Sequence, residues 1–240
     1  KFVIDNILIY NAINDFDPLD NYSVENYDIN LESVINNKTI EYRMGYYKSF
    51  YERDFLYKNS VDFLKEKGLD LVDIDAPEIR LEGFAKILDE DMRHDLRSYL
   101  FSYGNKNLKV DDISSIIKYN ELDSVERAPY GQGIFKKIIK DTMSINDFED
   151  LKYELMSKGN EFFNISMDKF NLDVVLSINN YHAGYAAMAH NPCLTIPMKL
   201  RKNNEPAGLT IIGKSFEEQK LYEIGYFFEN NFEGRVPPKN

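Results

Sequence analysis

At 240 residues, 43% of them hydrophobic, the chain can bury a substantial core. A formal net charge of −11 repels phosphate backbones and argues against direct nucleic-acid binding. No apolar run approaches the roughly 20 residues needed to cross a bilayer. The one cysteine, Cys193, cannot form an internal disulfide, which points to a reducing, cytoplasmic setting.

The opening segment carries Val3, Ile4, Ile7, Leu8 and Ala12 on one face, predicting a helix with no polar approach. Residues 14–30 are polar and read as a loop with a turn at Asp17-Pro18. Residues 39–44 predict a strand ending at Gly45. A helix around Tyr57, Val61 and Leu64 stops at Gly68, a residue suited to the left-handed position after a helix. Residues 69–74 alternate as a strand does, and Pro77 ends it. That order is βαβ-like. Ala85, Leu88, Met92, Leu96 and Leu100 then recur at helical spacing until Gly104. Asp111 is placed to cap a helix bearing Ile113, Ile116 and Ile117. Ser144 with Asp147 resembles a capping box before a long helix carrying Phe148, Leu151, Leu155, Phe162 and Ile165.

The last third changes character. A short apolar strand at 174–178 is followed by a small-residue segment at 183–189 and by strands at 194–196 and 209–212. Ser215 and Glu218 make a capping box for a final helix with Leu221, Ile224 and Phe228 inward. Pro237-Pro238 cannot continue it. There is no repeat and no linker, so the chain reads as one unit.

Most reactive side chains have structural explanations. Ser114-Ser115 sits among isoleucines with no glycine to present an oxyanion hole. Ser166-Met167-Asp168-Lys169 fits S-x-x-K, but the companion S-D-N and K-T-G motifs are absent. His94, His182 and His190 lack metal-ligand spacing, so no metal is expected. No cofactor is expected either: Gly131-Gln132-Gly133 is a lone GxG that opens no phosphate loop. Cys193, between a proline and a strand, reads as a buried small hydrophobe. Asp70, Asp73 and Asp75 alternate as a solvated strand face. Asn179, Asn180, Tyr181 and His182 stand apart. They follow a buried-looking strand and precede a small-residue helix, where α/β folds place ligands, so they are the candidate substrate-binding residues, against an ordinary polar turn.

One run of residues resembles a known family. Ala186-Ala187-Met188-Ala189-His190-Asn191-Pro192-Cys193-Leu194-Thr195-Ile196-Pro197 resembles the "AAxAGxPxxTVP" segment of the amidase-signature family. Pro206-Ala207-Gly208-Leu209-Thr210-Ile211-Ile212-Gly213 resembles its "PxGxxxxG" strand. Asp17-Pro18-Leu19-Asp20, Arg43-Met44-Gly45-Tyr46, Asp95-Leu96 with Tyr99-Leu100, and Asn120 with Pro129-Tyr130-Gly131-Gln132 follow the family's order. His190 replaces the usual glycine.

The resemblance implies an α/β fold, a mixed sheet flanked by helices, and the C-terminal portion of an amidase-signature domain over residues 1–240. It also implies that the catalytic Ser-cisSer-Lys set lies before Lys1, so no catalytic residue carries over. In the family the 179–182 position resembles the wall facing the catalytic serine. The implied activity is C–N hydrolysis of a small carboxamide by the intact parent, this chain alone being inactive. The alternatives are an A-type subunit of a glutamyl-tRNA(Gln) amidotransferase and a non-catalytic scaffold. The expected partner is a missing N-terminal half, or a second copy through the exposed cut surface.

Overall fold

The computed structural model describes residues 2–20, 23–25, 27–37, 39–105 and 107–237. Parts of the polar 14–30 loop and Pro238 of the proline tail lie outside them. In chain order the elements are α1 (Val3–Ile13), α2 (Leu31–Asn36), β1 (Arg43–Tyr47), α3 (Lys48–Arg53), α4 (Phe55–Glu66), β2 (Asp70–Ile74), α5 (Phe84–Tyr103), α6 (Ile113–Glu121), α7 (Ser124–Arg127), α8 (Gly133–Ile138), α9 (Ile145–Phe170), β3 (Val174–Ile178), α10 (Ala183–Ala189), β4 (Cys193–Leu200), β5 (Pro206–Ile212) and α11 (Glu218–Asn231). The chain read as one unit from its composition. It packs as two, Lys1–Arg80 with Ser157–Asn240, and Leu81–Met156, so the second division falls inside α9.

The larger unit holds a mixed five-stranded sheet in the order β2-β1-β3-β5-β4. β1 runs parallel to both β2 and β3, while β3–β5 and β5–β4 are antiparallel. The βαβ expectation holds. Asp54 starts α4 by accepting a 3.0 Å hydrogen bond from the Tyr57 amide, and Gly68 leaves it at φ +81°. β3 is buried along its whole length, as a central strand with helices on both faces must be.

Alternation sends β-strand side chains to two faces. On one face Met44, Tyr46, Val174, Leu176, Ile178, Leu209, Ile211, Ile196 and Met198 form a core with Val3 and Ile7 of α1, Val61 and Leu64 of α4, and Ile224 and Phe228 of α11. On the other, Tyr47, Val175 and Ile212 pack with Phe162, Phe163 and Met167 of α9 and Ala186 and Ala189 of α10. α10 and α9 lie close because position 159 is glycine: a Cβ there would stand 2.8 to 2.9 Å from the Met188 Cβ, the Ala189 nitrogen and the Tyr185 oxygen.

The smaller unit is helical. Ile113, Ile117 and Ile138 make its core, joined by Leu96 and Phe135. Arg93 reaches the Ile138 and Asp141 carbonyls and pairs with Glu90. Glu90 is 1% exposed, and its Oε1 is the one buried side-chain polar atom without a partner among the described residues.

Several local expectations change. Gly45 lies inside β1 rather than at its end, because a Cβ there would meet Leu172 Cδ1 at 2.6 Å. Asp112, not Asp111, caps α6, accepting from the Ser115 amide at 2.7 Å. Ser215 does not cap α11: its hydroxyl bonds the His190 carbonyl at 2.7 Å, and Glu217 starts the helix without a side-chain bond. On α5, Leu88 and Met92 are exposed, and Ile87 is the buried apolar residue. Cys193 is exposed rather than buried.

Candidate functional site

The second face of the sheet is covered only in part. On β4, Leu194, Ile196 and Met198 turn toward α11, and a Cβ on Gly225 of that helix would stand 2.6 Å from Leu194 Cδ2. Cys193, Thr195 and Pro197 turn the other way, beside Gly208, Thr210 and Ile212 of β5. These residues floor an open depression of about 490 Å3, walled by Asn179, Asn180, His182 and Ala183. That size suits one small molecule.

The wall is the turn that leaves β3. Asn179 sits at φ +48°, a conformation asparagine tolerates better than most residues. It is tied to β5 three times. Its amide donates to the Gly208 carbonyl at 2.9 Å, its Oδ1 accepts from the Gly208 amide at 2.7 Å, and its carbonyl accepts from the Thr210 hydroxyl. With that proton committed, the 2.8 Å contact between the Thr195 and Thr210 hydroxyls makes Thr195 the donor. Thr195 therefore turns acceptor capacity toward the depression. Gly208 permits the close packing, since a Cβ there would lie 2.4 Å from Thr195 Cγ2.

His182 is 3% exposed, among the rings of Tyr47, Phe50 and Phe162 at 4.4, 5.5 and 5.2 Å. Its Nδ1 lies 2.8 Å from the Ser177 hydroxyl. Burial pushes its pKa down from 6.5 to about 4, so the imidazole is neutral at physiological pH. Behind it the fully buried Tyr57 hydroxyl accepts from the Tyr47 amide at 3.1 Å and donates to the Leu176 carbonyl at 2.7 Å, locking β1 and β3 just before the turn. Cys193, although exposed, has its thiol raised to about 11 by the surrounding protein, which leaves it a poor nucleophile at neutral pH.

The four residues singled out in the sequence thus have different settings. Asn179 is a half-buried strut, Asn180 is exposed with no side-chain hydrogen bond among the described residues, and His182 is a buried neutral ring. Tyr181 is 69% exposed and faces a second depression of about 350 Å3, lined also by Phe50, Arg53, Asp54, Ile178, Asn179, Asn180 and Arg201. The floor residues Thr195, Gly208 and Thr210 were not singled out. Their signal was the small or polar residue at every second position of a strand. Among the described residues no group of three or more His, Cys, Asp or Glu is placed to hold a metal ion. No described helix is long and apolar enough to cross a membrane.

No family model matches the chain. The A-type subunit of the glutamyl-tRNA(Gln) amidotransferase of Rhizorhabdus wittichii is 22% identical, over 99% of this chain and 54% of that protein. Among solved structures, an amidase family protein from Bacillus anthracis superposes with a TM-score of 0.90 at 24% identity, covering 100% of this chain and 49% of that one. The peptide amidase of Stenotrophomonas maltophilia gives 0.82 at 18% identity, covering 99% and 53%. The chain therefore spans about half the length of the relatives it matches. Over nearly its whole length the chain is similar in sequence to amidotransferase A-type subunits and in fold to amidases, among them an aryl acylamidase of the amidase-signature family.

Proposed function

We propose that residues 1–240 form the C-terminal portion of an amidase-signature hydrolase, and that the depression above β4 and β5 is the substrate wall of its site. The substrate is a small carboxamide whose C–N bond, other than a peptide bond, is hydrolysed by the intact parent. The nucleophile and base come from chain outside this sequence, and the 240 residues alone are inactive. One observation carries this reading: the sheet face is apolar at Tyr47, Val175 and Ile212, which pack with α9 and α10, and carries Thr195, Gly208 and Thr210 where the depression opens beside the Asn179-Asn180 turn. A floor with an acceptor on Thr195 and a wall with the unengaged Asn180 amide suit a group that both donates and accepts hydrogen bonds. A neutral His182 adds no charge that would repel or trap it.

The partner in this reading is the remaining half of the same protein or, without it, a second copy. Leu8, Ile9 and Ile13 of α1 are 54, 61 and 74% exposed, an apolar surface that a partner could cover. A reducing, cytoplasmic setting fits the single thiol.

A second reading, a subunit that serves glutamyl-tRNA(Gln) in an amidotransferase complex, is favoured by the name of the curated relatives. The test is ammonia release from a panel of carboxamides by the product of the complete gene and by the 240-residue chain. Activity of the complete product without added subunits supports the amidase. Activity that appears only with a copurifying partner and a tRNA-linked substrate supports the subunit. Release by the 240 residues alone, abolished by a substitution within them, overturns the proposed division of the site.

A further inference from the structure

The second depression has a charge that the first lacks. α3 ends at Arg53, and Asp54 begins α4 directly after it, so two opposite charges flank one backbone corner. Asp54 is fully engaged: its carboxylate accepts from the Tyr57 amide at 3.0 Å and pairs with the Arg201 guanidinium at 2.6 Å. Arg201 is thereby neutralised. Arg53 lines the same depression, is exposed, and has no ion pair or hydrogen bond to another described residue. Two guanidiniums against one carboxylate leave a local surplus of one positive charge in a chain whose net charge is −11. Around it stand the Asn180 amide and the Phe50 and Tyr181 rings, held edge to face at 4.9 Å.

We infer that this depression binds a carboxylate carried by the substrate, with Arg53 as its specificity-determining residue. The inference rests on the reading that the larger depression takes the amide. The two depressions share Asn179 and Asn180, so one small molecule can lay its amide on one side of the turn and its carboxylate on the other. A planar guanidinium fork matches a carboxylate with two parallel hydrogen bonds. A phosphate dianion would leave an uncompensated negative charge beside an already acidic protein. The substrate class is then an amide that also bears a free carboxylate, and neutral amides of similar size are the poorer ligands.

Binding is tested separately from hydrolysis, by following backbone amide resonances of the 240-residue chain while titrating succinamate, propionamide or acetate. Succinamate should bind about tenfold or more tightly than propionamide, a charge-assisted hydrogen bond being the difference. Both should move the resonances of residues 179–182 and 208–210. Arg53→Gln should remove the preference, and Arg53→Lys should restore part of it. Arg53 is exposed, so neither variant is expected to change the thermal midpoint, which is measured alongside. Equal affinity for succinamate and propionamide, or a preference that survives in Arg53→Gln, overturns the carboxylate assignment and leaves the amide wall standing. Acetate binding as tightly as succinamate, without movement at 208–210, marks a separate anion site and also overturns it. No response to any of the three at tens of millimolar overturns this inference and the substrate wall together.

Discussion

The two faces of the sheet are built from the same strands and differ in what covers them. Toward α1, α4 and α11, every strand that contributes shows branched, aromatic or thioether side chains, and Met44, Leu176, Leu209, Ile211 and Met198 are 0% exposed. Toward α9 and α10 the same pattern holds for Tyr47, Val175 and Ile212, then gives way to Thr210, Thr195 and the exposed Cys193. The change follows from desolvation. A hydroxyl is stranded under a packed helix unless it is hydrogen-bonded, but keeps its partners where water or a ligand can reach it. The composition of a strand face therefore reports its cover, and the polar half of this face is the half that borders the open depression.

The sharpest way to break that comparison is to truncate equivalent depths on the two faces. Phe228 is 0% exposed and stacks on Phe232 with 4.6 Å between centroids. Phe228→Ala should cost about 3–5 kcal/mol. Thr195→Val on the open floor loses one hydrogen bond and should cost about 1 kcal/mol. Urea midpoints with unchanged m-values would establish both. Comparable losses at the two positions would mean that the floor is packed in solution.

His182 sharpens the comparison through pH. Its folded pKa, about 4, lies below the unfolded 6.5. Between these values the unfolded chain binds a proton that the folded chain does not, so stability falls as pH drops through this window and the loss is complete near pH 4. The total is ~3 kcal/mol. His182→Gln should flatten the profile there, as read from thermal midpoints across pH. A wild-type profile already flat between pH 6.5 and 4 would show that the ring protonates in place.

Glu223 tests the covered side in a lower window. It is 5% exposed and has no cation partner among the described residues. Burial pushes its pKa up, but hydrogen bonds from Tyr42, Gln219, Ser33 and Asn37 outweigh that and hold it below the usual 4.5. Because the folded pKa is the lower one, this contribution is present above about pH 4.5 and is lost as pH falls further. Glu223→Ala strands the Tyr42 hydroxyl and the Asn37 amide and should cost about 1–3 kcal/mol at neutral pH. The variant should lose stability less steeply than the wild type below pH 4.5, measured by the same midpoints.

How much of this was legible in the sequence follows the same division. β3 was readable at its true bounds because a strand covered on both faces is an unbroken apolar run. β4 and β5 were read short. Their open-face positions are Cys193, Pro197, Pro206 and Gly208, which weaken any strand pattern viewed without its partner. Gly45 looked like a terminus because a glycine weakens a strand, but the reason for it is Leu172, distant in the chain and close in space. The wall at 179–182 could be located by its place after an apolar strand. Its floor could not, since the pairing of Thr195 with Thr210 exists only once β4 and β5 have found their register. The exposure of Leu88 and Met92 on α5 shows the limit of periodicity: it identifies a helix without saying which of its apolar residues are covered.

The smallest expected effect on stability belongs to a residue of the proposed substrate wall. The Asn180 side chain is exposed and makes no hydrogen bond among the described residues, while its backbone carbonyl accepts from the Ala183 amide to close the turn. Asn180→Ala keeps that backbone bond and should change stability by less than about 0.5 kcal/mol. Its neighbour supplies the control. Asn179→Ala loses the 2.7 Å bond to the Gly208 amide and puts alanine at φ +48°, and should cost about 1–3 kcal/mol. If the turn is only a turn, Asn180→Ala does nothing and Asn179→Ala acts through stability alone. If it is a substrate wall, Asn180→Ala in the complete protein changes KM or the ranking of amides with an unaltered thermal midpoint. An interaction made equally in the bound substrate and in the transition state appears in KM. One strengthened at the transition state appears in kcat. Steady-state kinetics on a series of amides, with midpoints recorded on the same preparations, separates these outcomes, and identical kinetics for Asn180→Ala and wild type would return the segment to an ordinary polar turn.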